Sequence, residues 1–222
     1  MERRRLLDND GYIEWLKSIG CVLYLPLSYD GDLTDRISGQ SLILSGNGSM
    51  VWNNAEQMYF VTTPSSTYQY VARLNNGLNN TFFPSGSYSA VQQVKRYTNS
   101  SSKRITTMTP NTTNGTTVTV FLGTYNASST SSGYPSGVAK VATVIDRTNR
   151  VRNFYQQGGL YNQYAEATAL YPENWVLDGN GIQIGTTSYD NAKCGVSFYL
   201  SECYIFNTAL DLTTIRKIQG YE

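Results

Sequence analysis

Between Cys21 and Phe206, short runs of β-branched and aromatic residues recur at close spacing, and Gly, Asn, Asp, Ser or Pro separates each from the next. The runs are CVLYLPL, QSLILSG, SMVWNN and QMYFVTT, then SYSAVQQVKRYT (87–98), KRITTMT (103–109) and TTVTVFLGTY (116–125). GVAKVATVIDR (137–147) and RVRNFYQQG (150–158) predict a hairpin about Thr148 and Asn149. NWVLDGNGIQIGTT predicts two strands about a Gly-Asn-Gly turn. No helical stripe is interleaved with these runs, which excludes a parallel α/β fold. The pattern predicts an all-β fold, a sandwich or jelly-roll sandwich of two antiparallel sheets. A chain of 222 residues can bury a core of its own, roughly 70% of the surface its unfolded form exposes.

Helical signals are confined to the two ends. Tyr12, Trp15, Leu16 and Ile19 fall at i, i+3, i+4 and i+7, an amphipathic stripe. Asp8 or Asp10 can cap its start and Gly20 suits its stop. The stripe must be laid on something, either the outside of its own domain or a partner subunit. The organisation expected is a basic arm and short helix over residues 1–19, then one domain over 20–222. From about Thr98 to Gly137, Ser/Thr/Asn/Gly-rich stretches such as NASSTSSGYPSG carry too little apolar surface for core strands and read as long loops.

Charged residues make up only 15% of the chain, against a usual ~25%, so Ser, Thr, Asn and Gln must solvate it. The formal net charge of +1 gives no electrostatic reason to expect nucleic acid or an anionic membrane as partner. No run approaches the ~20 apolar residues that span a bilayer. The chain has no histidine, so a Ser-His-Asp triad, a Cys-His dyad and a histidine zinc site are all impossible within it. Three widely spaced cysteines, Cys21, Cys194 and Cys203, read as buried small hydrophobes, with a Cys194–Cys203 bridge as the alternative. The start, MERRRLLDNDGYIEWLK, has a basic part but no apolar segment of secretory type. The expectation is synthesis in a cytoplasm, with any work at a cell surface reached by another route.

Two constellations can bind ligands. Asp30, Asp32 and Asp35 alternate in DGDLTD. Such carboxylates can chelate a structural Ca²⁺ or bond the amides of their own turn. No other cofactor is expected. Sugar binding needs aromatic faces for C–H surfaces and planar amides or carboxylates for hydroxyls. Tyr is abundant, at 18 residues, and the predicted loops supply Tyr125, Asn126, Tyr134, Tyr155, Tyr161, Asn162 and Tyr164.

YLPLSYDGDLTDRISGQSLILSGNGSMVW near the start resembles the opening strands of laminin-G-like domains, within the concanavalin A-like lectin/glucanase jelly rolls. ECYIFNTALDLTTIRKIQ resembles their closing strand, Ala-Leu corner and terminal helix, with DGNGIQIG as the strand before. The resemblance brackets roughly residues 20–220. It implies that the first and last strands lie close, that Leu212, Ile215 and Ile218 pin the last helix to an outer surface, and that Asp211 caps it, with Thr214 where a capping-box Glu often stands. Glucanases of this superfold hydrolyse with paired carboxylates, roughly 5–9.5 Å apart across the scissile bond. No Glu here has a second carboxylate two residues away, and Glu202 alone sits in a well-formed strand context.

The combined expectation is a non-catalytic, lectin-like adhesion module for a glycan or cell-surface polysaccharide. The alternatives are a structural assembly protein making protein contacts, and a glycoside hydrolase. The arrangement of arm, small helix and laminin-G-like domain resembles virion proteins of gut-bacterial phages. That implies attachment to a virion or other assembly through residues 1–20, with Arg3, Arg4, Arg5, Tyr12 and Trp15 making the contact.

Overall fold

The structure, a computed structural model, describes residues 10–44, 48–62, 71–74, 87–96, 106–111, 120–121, 137–165, 176–184 and 197–221. Its first helix is α1 (Asp10–Ser18). The strands follow as β1 (Cys21–Leu25), β2 (Leu42–Leu44), β3 (Ser49–Asn53), β4 (Met58–Thr62), β5 (Ala72–Leu74), β6 (Tyr88–Arg96), β7 (Thr106–Asn111), β8 (Val120–Phe121), β9 (Val138–Asp146), β10 (Val151–Gln156), β11 (Gly159–Ala165), β12 (Val176–Ile184) and β13 (Ser197–Phe206). The last helix is α2 (Leu212–Gln219).

Two antiparallel sheets form the sandwich. The larger runs β11-β10-β9-β6-β13-β4-β3, with β1 also on β13; the smaller runs β2-β5-β12-β7-β8. β13 is the spine of the larger sheet. One of its edges carries β6 along almost the whole strand. The other carries β4 beside Ser197–Leu200 and β1 beside Cys203–Phe206, end to end. The first and last strands are therefore direct neighbours.

A register shift between Leu200 and Glu202 sets the side-chain phase of β13. Phe198, Leu200, Cys203 and Ile205 all enter the core between the sheets. Strict two-residue alternation from Phe198 and Leu200 would have sent Glu202 and Tyr204 inward instead. The bulge thus keeps a carboxylate out of the inter-sheet core. From the smaller sheet, Leu42, Ala72, Leu74 and Ile184 meet this layer.

A second apolar layer covers the outer face of the larger sheet. Tyr24, Val91, Ala142, Val144, Tyr155, Tyr204 and Phe206 point outward there, and Leu16 of α1 and Ile215 and Ile218 of α2 close over them. Tyr24 stacks on Tyr204 at 4.4 Å, and Tyr12 meets Tyr24 edge-on at 6.0 Å. Both terminal helices therefore lie on the protein's own sheet. Leu212, expected to help pin α2, stays exposed, and Gln219 takes the third buried position beside Ile215 and Ile218.

Asp211 accepts the Thr214 N–H at 2.7 Å and caps α2, and Gly220 ends it in the left-handed region at φ 70°. That N–H holds the Asp211 carboxyl below its ordinary range. The chain then locks onto the β10–β11 turn. Tyr221 donates its hydroxyl to Gln157 Oε1 at 2.6 Å, Gln219 Oε1 accepts the Gly158 N–H at 3.0 Å, and Lys140 donates to the Gln219 carbonyl. Gln157 and Gly158 both take positive φ, which matches the twist of a two-residue hairpin turn. A side chain at Gly158 would strike the Tyr221 ring at 2.9 Å.

Two expectations are corrected by the backbone. The Gly-Asn-Gly stretch is not a turn between strands. It lies inside β12, where the register against β7 shifts between Leu177 and Ile182. NFYQQGGLYNQYAE is not a loop, because β10, a two-residue turn and β11 account for most of it.

Candidate functional site

The acidic turn is built by its own donors. Asp35 is fully buried. Its carboxylate accepts the backbone N–H groups of Tyr24 (2.8 Å), Ile37 (3.0 Å) and Ser38 (3.1 Å) and the Ser38 hydroxyl (2.5 Å). The Tyr24 carbonyl in turn accepts from Arg36 N–H at 2.8 Å. Asp35 and Arg36 therefore cap the outer edge of β1. Asp32, also buried, accepts from Ser28 N–H (3.0 Å), Ser28 Oγ (2.9 Å) and the Arg36 guanidinium (2.8 Å). Asp30 is exposed. Among the described residues no group of three or more His, Cys, Asp or Glu side chains is arranged to hold a metal ion. The donors seen on Asp32 and Asp35 are backbone amides, two serine hydroxyls and the Arg36 guanidinium.

The tyrosine-rich segment resolves into two kinds of position. Tyr155 lies on β10 and is buried under the helices, and burial raises its hydroxyl above the usual range. Its ring offers no face to a ligand. Tyr161 stands on β11, the last strand of the larger sheet, and is 54% exposed. It is the extra residue of a bulge, since Phe154 pairs with Asn162 and Tyr155 with Leu160. Bulges re-aim side chains at sheet edges. Beside it, Gln163 Nε2 donates to Asn153 Oδ1 at 2.7 Å, and Leu160 is exposed. The hairpin edge so combines an open phenol ring with a pair of planar amides. Asn162 and Tyr164 occupy register positions opposite Phe154 and Arg152. Tyr125, Asn126 and Tyr134 lie outside the described residues, as do Arg3, Arg4 and Arg5.

Tyr12 and Trp15 pack, half-buried, against the protein's own outer sheet face. The Tyr12 hydroxyl lies 3.4 Å from that of Tyr204. Lys217 of α2 sits 5.0 Å over the Trp15 ring. Of the two surfaces open to the α1 stripe, the structure shows its own domain.

Cys21 and Cys203 are buried free thiols, so the alternative pairing of Cys203 with Cys194 is not formed. Burial pushes the Cys203 thiol up to about 12, and Cys21 is raised further by the same cause. Neither is a nucleophile near neutral pH. Glu202 is buried on the outer face of β13, 8% exposed.

One cluster was missed by sequence reasoning. Trp52 of β3 is half-buried and meets Tyr59 edge-on at 5.3 Å. Its indole N–H donates to Asn54 Oδ1 at 2.9 Å. Tyr59, 2% exposed, reaches across the sandwich end and donates its hydroxyl to the Tyr29 carbonyl at 3.0 Å. The only sequence signal was VWNN, an aromatic directly before an amide-rich turn.

No protein-family model matches the sequence, and no curated protein sequence matches it. Solved structures do share its fold. The Trypanosoma rangeli sialidase in complex with sialic acid superposes with a TM-score of 0.58 at 14% identity, over 90% of this chain and 32% of the sialidase. The binding domain of botulinum neurotoxin serotype G gives 0.56 at 14% identity, over 90% of this chain and 50% of that one. Botulinum neurotoxin type C, whose passage into cells depends upon interaction with two ganglioside molecules, gives 0.58 at 13% identity, over 93% and 53%. This chain spans about a third of the sialidase and about half of the toxin chains. At these identities the likeness is one of fold alone, an all-β sandwich.

Proposed function

We propose that this chain is a non-catalytic, lectin-type binding module that holds a glycan at the β10–β11 hairpin edge. The observation that carries the reading is Tyr161, 54% exposed at its bulge, beside the Asn153–Gln163 amide pair. A phenol ring covers the C–H face of a pyranose, and fixed amides donate to and accept from its hydroxyls. The fold supports this, since it is shared with a toxin binding domain and with a toxin whose cell entry depends on gangliosides.

The same fold occurs in a sialidase, so it does not decide between binding and hydrolysis. Residues carry that argument. The chain has no histidine, and Glu202, the glutamate of the core strand, is buried at 8% exposure. Glycan hydrolysis needs two carboxylates facing the scissile bond.

A virion or similar assembly is the setting we propose, joined through the arginines Arg3, Arg4 and Arg5 to an acidic or phosphate-bearing surface. Exposed Leu160 next to Tyr161 favours one second reading, in which the hairpin edge grips protein. A glycan array printed at high density separates the two. The lectin reading expects defined hits that Tyr161→Ala weakens at least tenfold, with the melting temperature unchanged. An array without hits leaves the protein-contact reading.

A further inference from the structure

We infer that the corner formed by Trp52, Asn54, Tyr29 and Asp30 is a second sugar-binding site, selective for neutral sugars. It extends the lectin reading to a place far from the hairpin. β3 and β11 are the opposite ends of the larger sheet, six strand spacings of ~4.8 Å apart, or roughly 29 Å along the sheet.

Tyr59 organises the corner. Its buried ring supports Trp52 edge-on at 5.3 Å, and its hydroxyl fixes the loop at the Tyr29 carbonyl, 3.0 Å away. Asp30 directly follows Tyr29 in the chain, and the Tyr59 hydroxyl is raised above the ordinary range, by burial first and then by the charges of Asp30 and Asp32. Asp32 is held by Arg36 and Ser28 and locks the loop from beneath. At the surface of this corner stand the half-buried Trp52 ring, the Tyr29 residue at 43% exposure, Asn54 and Asp30.

These groups match a pyranose. Trp52 and Tyr29 supply flat apolar surface, the Asn54 amide still has N–H donors while its oxygen holds the indole, and Asp30 can accept from two vicinal hydroxyls. Trp52 also packs on the inter-sheet core, and Asn54 holds its indole N–H at the surface. The arrangement is also rigid. Asn53 Oδ1 pins the turn by accepting from Ala55 and Glu56 N–H at 3.0 Å each, and Gln57 Nε2 bonds the Asn54 carbonyl at 2.8 Å. Rigid donors and acceptors lower the ordering cost of binding. The exposed Asp30 selects against sugars bearing a carboxylate and so fixes the neutral class.

The test is titration of the full chain with a panel of neutral methyl glycosides and with N-acetylneuraminic acid, read by intrinsic tryptophan fluorescence and by calorimetry. We expect a neutral glycoside to shift the emission, with affinity unchanged in Tyr161→Ala and at least tenfold weaker in both Tyr29→Ala and Asn54→Ala. These two are surface variants, so each should keep the wild-type melting temperature even if Trp52→Ala does not fold. Neutral binding lost in Tyr161→Ala but kept in Tyr29→Ala and Asn54→Ala overturns the second site and leaves the hairpin site standing. Preference for N-acetylneuraminic acid over every neutral sugar overturns the neutral class. No binding of any sugar overturns both sites.

Discussion

Asp35 links the Asp-rich turn to the first strand through four accepted hydrogen bonds, one of them from a β1 amide. Asp35→Ala strands the buried Tyr24 N–H and unties the turn. An unsatisfied buried donor costs about 1–3 kcal/mol, and we expect a total loss of about 3–5 kcal/mol by urea denaturation, as for other broken buried networks. Because Asp32 and Asp35 are occupied by protein donors, adding millimolar Ca²⁺ or a chelator should leave the melting temperature within about a degree, since a ligand stabilises only by binding the native state. The buried thiols set a second, pH-dependent expectation. Cys21 and Cys203 hold their protons in the folded state to higher pH than in the unfolded state, and burial is the cause. Their contribution is complete below the unfolded value of about 8.5 and declines as pH rises from there toward the folded values. The fall should be at most about 1.4 kcal/mol per pH unit for each thiol, and denaturation midpoints between pH 8 and 10 measure it. Residue roles were only partly legible in the sequence. DGDLTD announced turn chemistry but could not say whether amides or a cation would fill the carboxylates, because that depends on where β1 runs. Tyr155 and Tyr161 look alike in sequence; a bulge places one under the helices and the other in the open.

At the scale of elements, the ends of the chain act as covers for the larger sheet. Deleting residues 1–19 removes Leu16 from the outer layer and strips Tyr24 and Tyr204 of their Tyr12 neighbour. Full burial of one such side chain is worth about 1.5–3 kcal/mol, and a chain of this size shifts by about 2–4 °C per kcal/mol. We therefore expect the truncated protein to melt at least about 5 °C lower, by calorimetry or dichroism. Sedimentation of the same variant reads whether residues 1–19 also mediate assembly, as proposed for the arginine arm. The helices and most strands were legible, since the stripe at Tyr12, Trp15, Leu16 and Ile19, the Asp211 cap and the 137–158 hairpin each rest on local chemistry. Leu212 was not, because which turn of α2 meets the sheet depends on the Ala209-Leu210 corner. Nor was β12, where a register shift absorbs the Gly-Asn-Gly stretch that local rules make a turn.

For the whole molecule, the sandwich holds its two candidate surfaces at opposite ends of one sheet, and between them the outer face is partly closed by helices. A ligand long enough to reach both edges would gain avidity without new contacts. The central claim is that the protein binds glycan and leaves it intact. The direct measurement is capture of a labelled glycan library on immobilised protein, with mass spectrometry of the retained and unretained fractions. The account predicts a defined subset retained at unchanged mass, with retention at least tenfold weaker once Tyr161→Ala and Tyr29→Ala are combined so that both sites are disabled. Shortened glycans in either fraction, or no retention at high protein density, would contradict it.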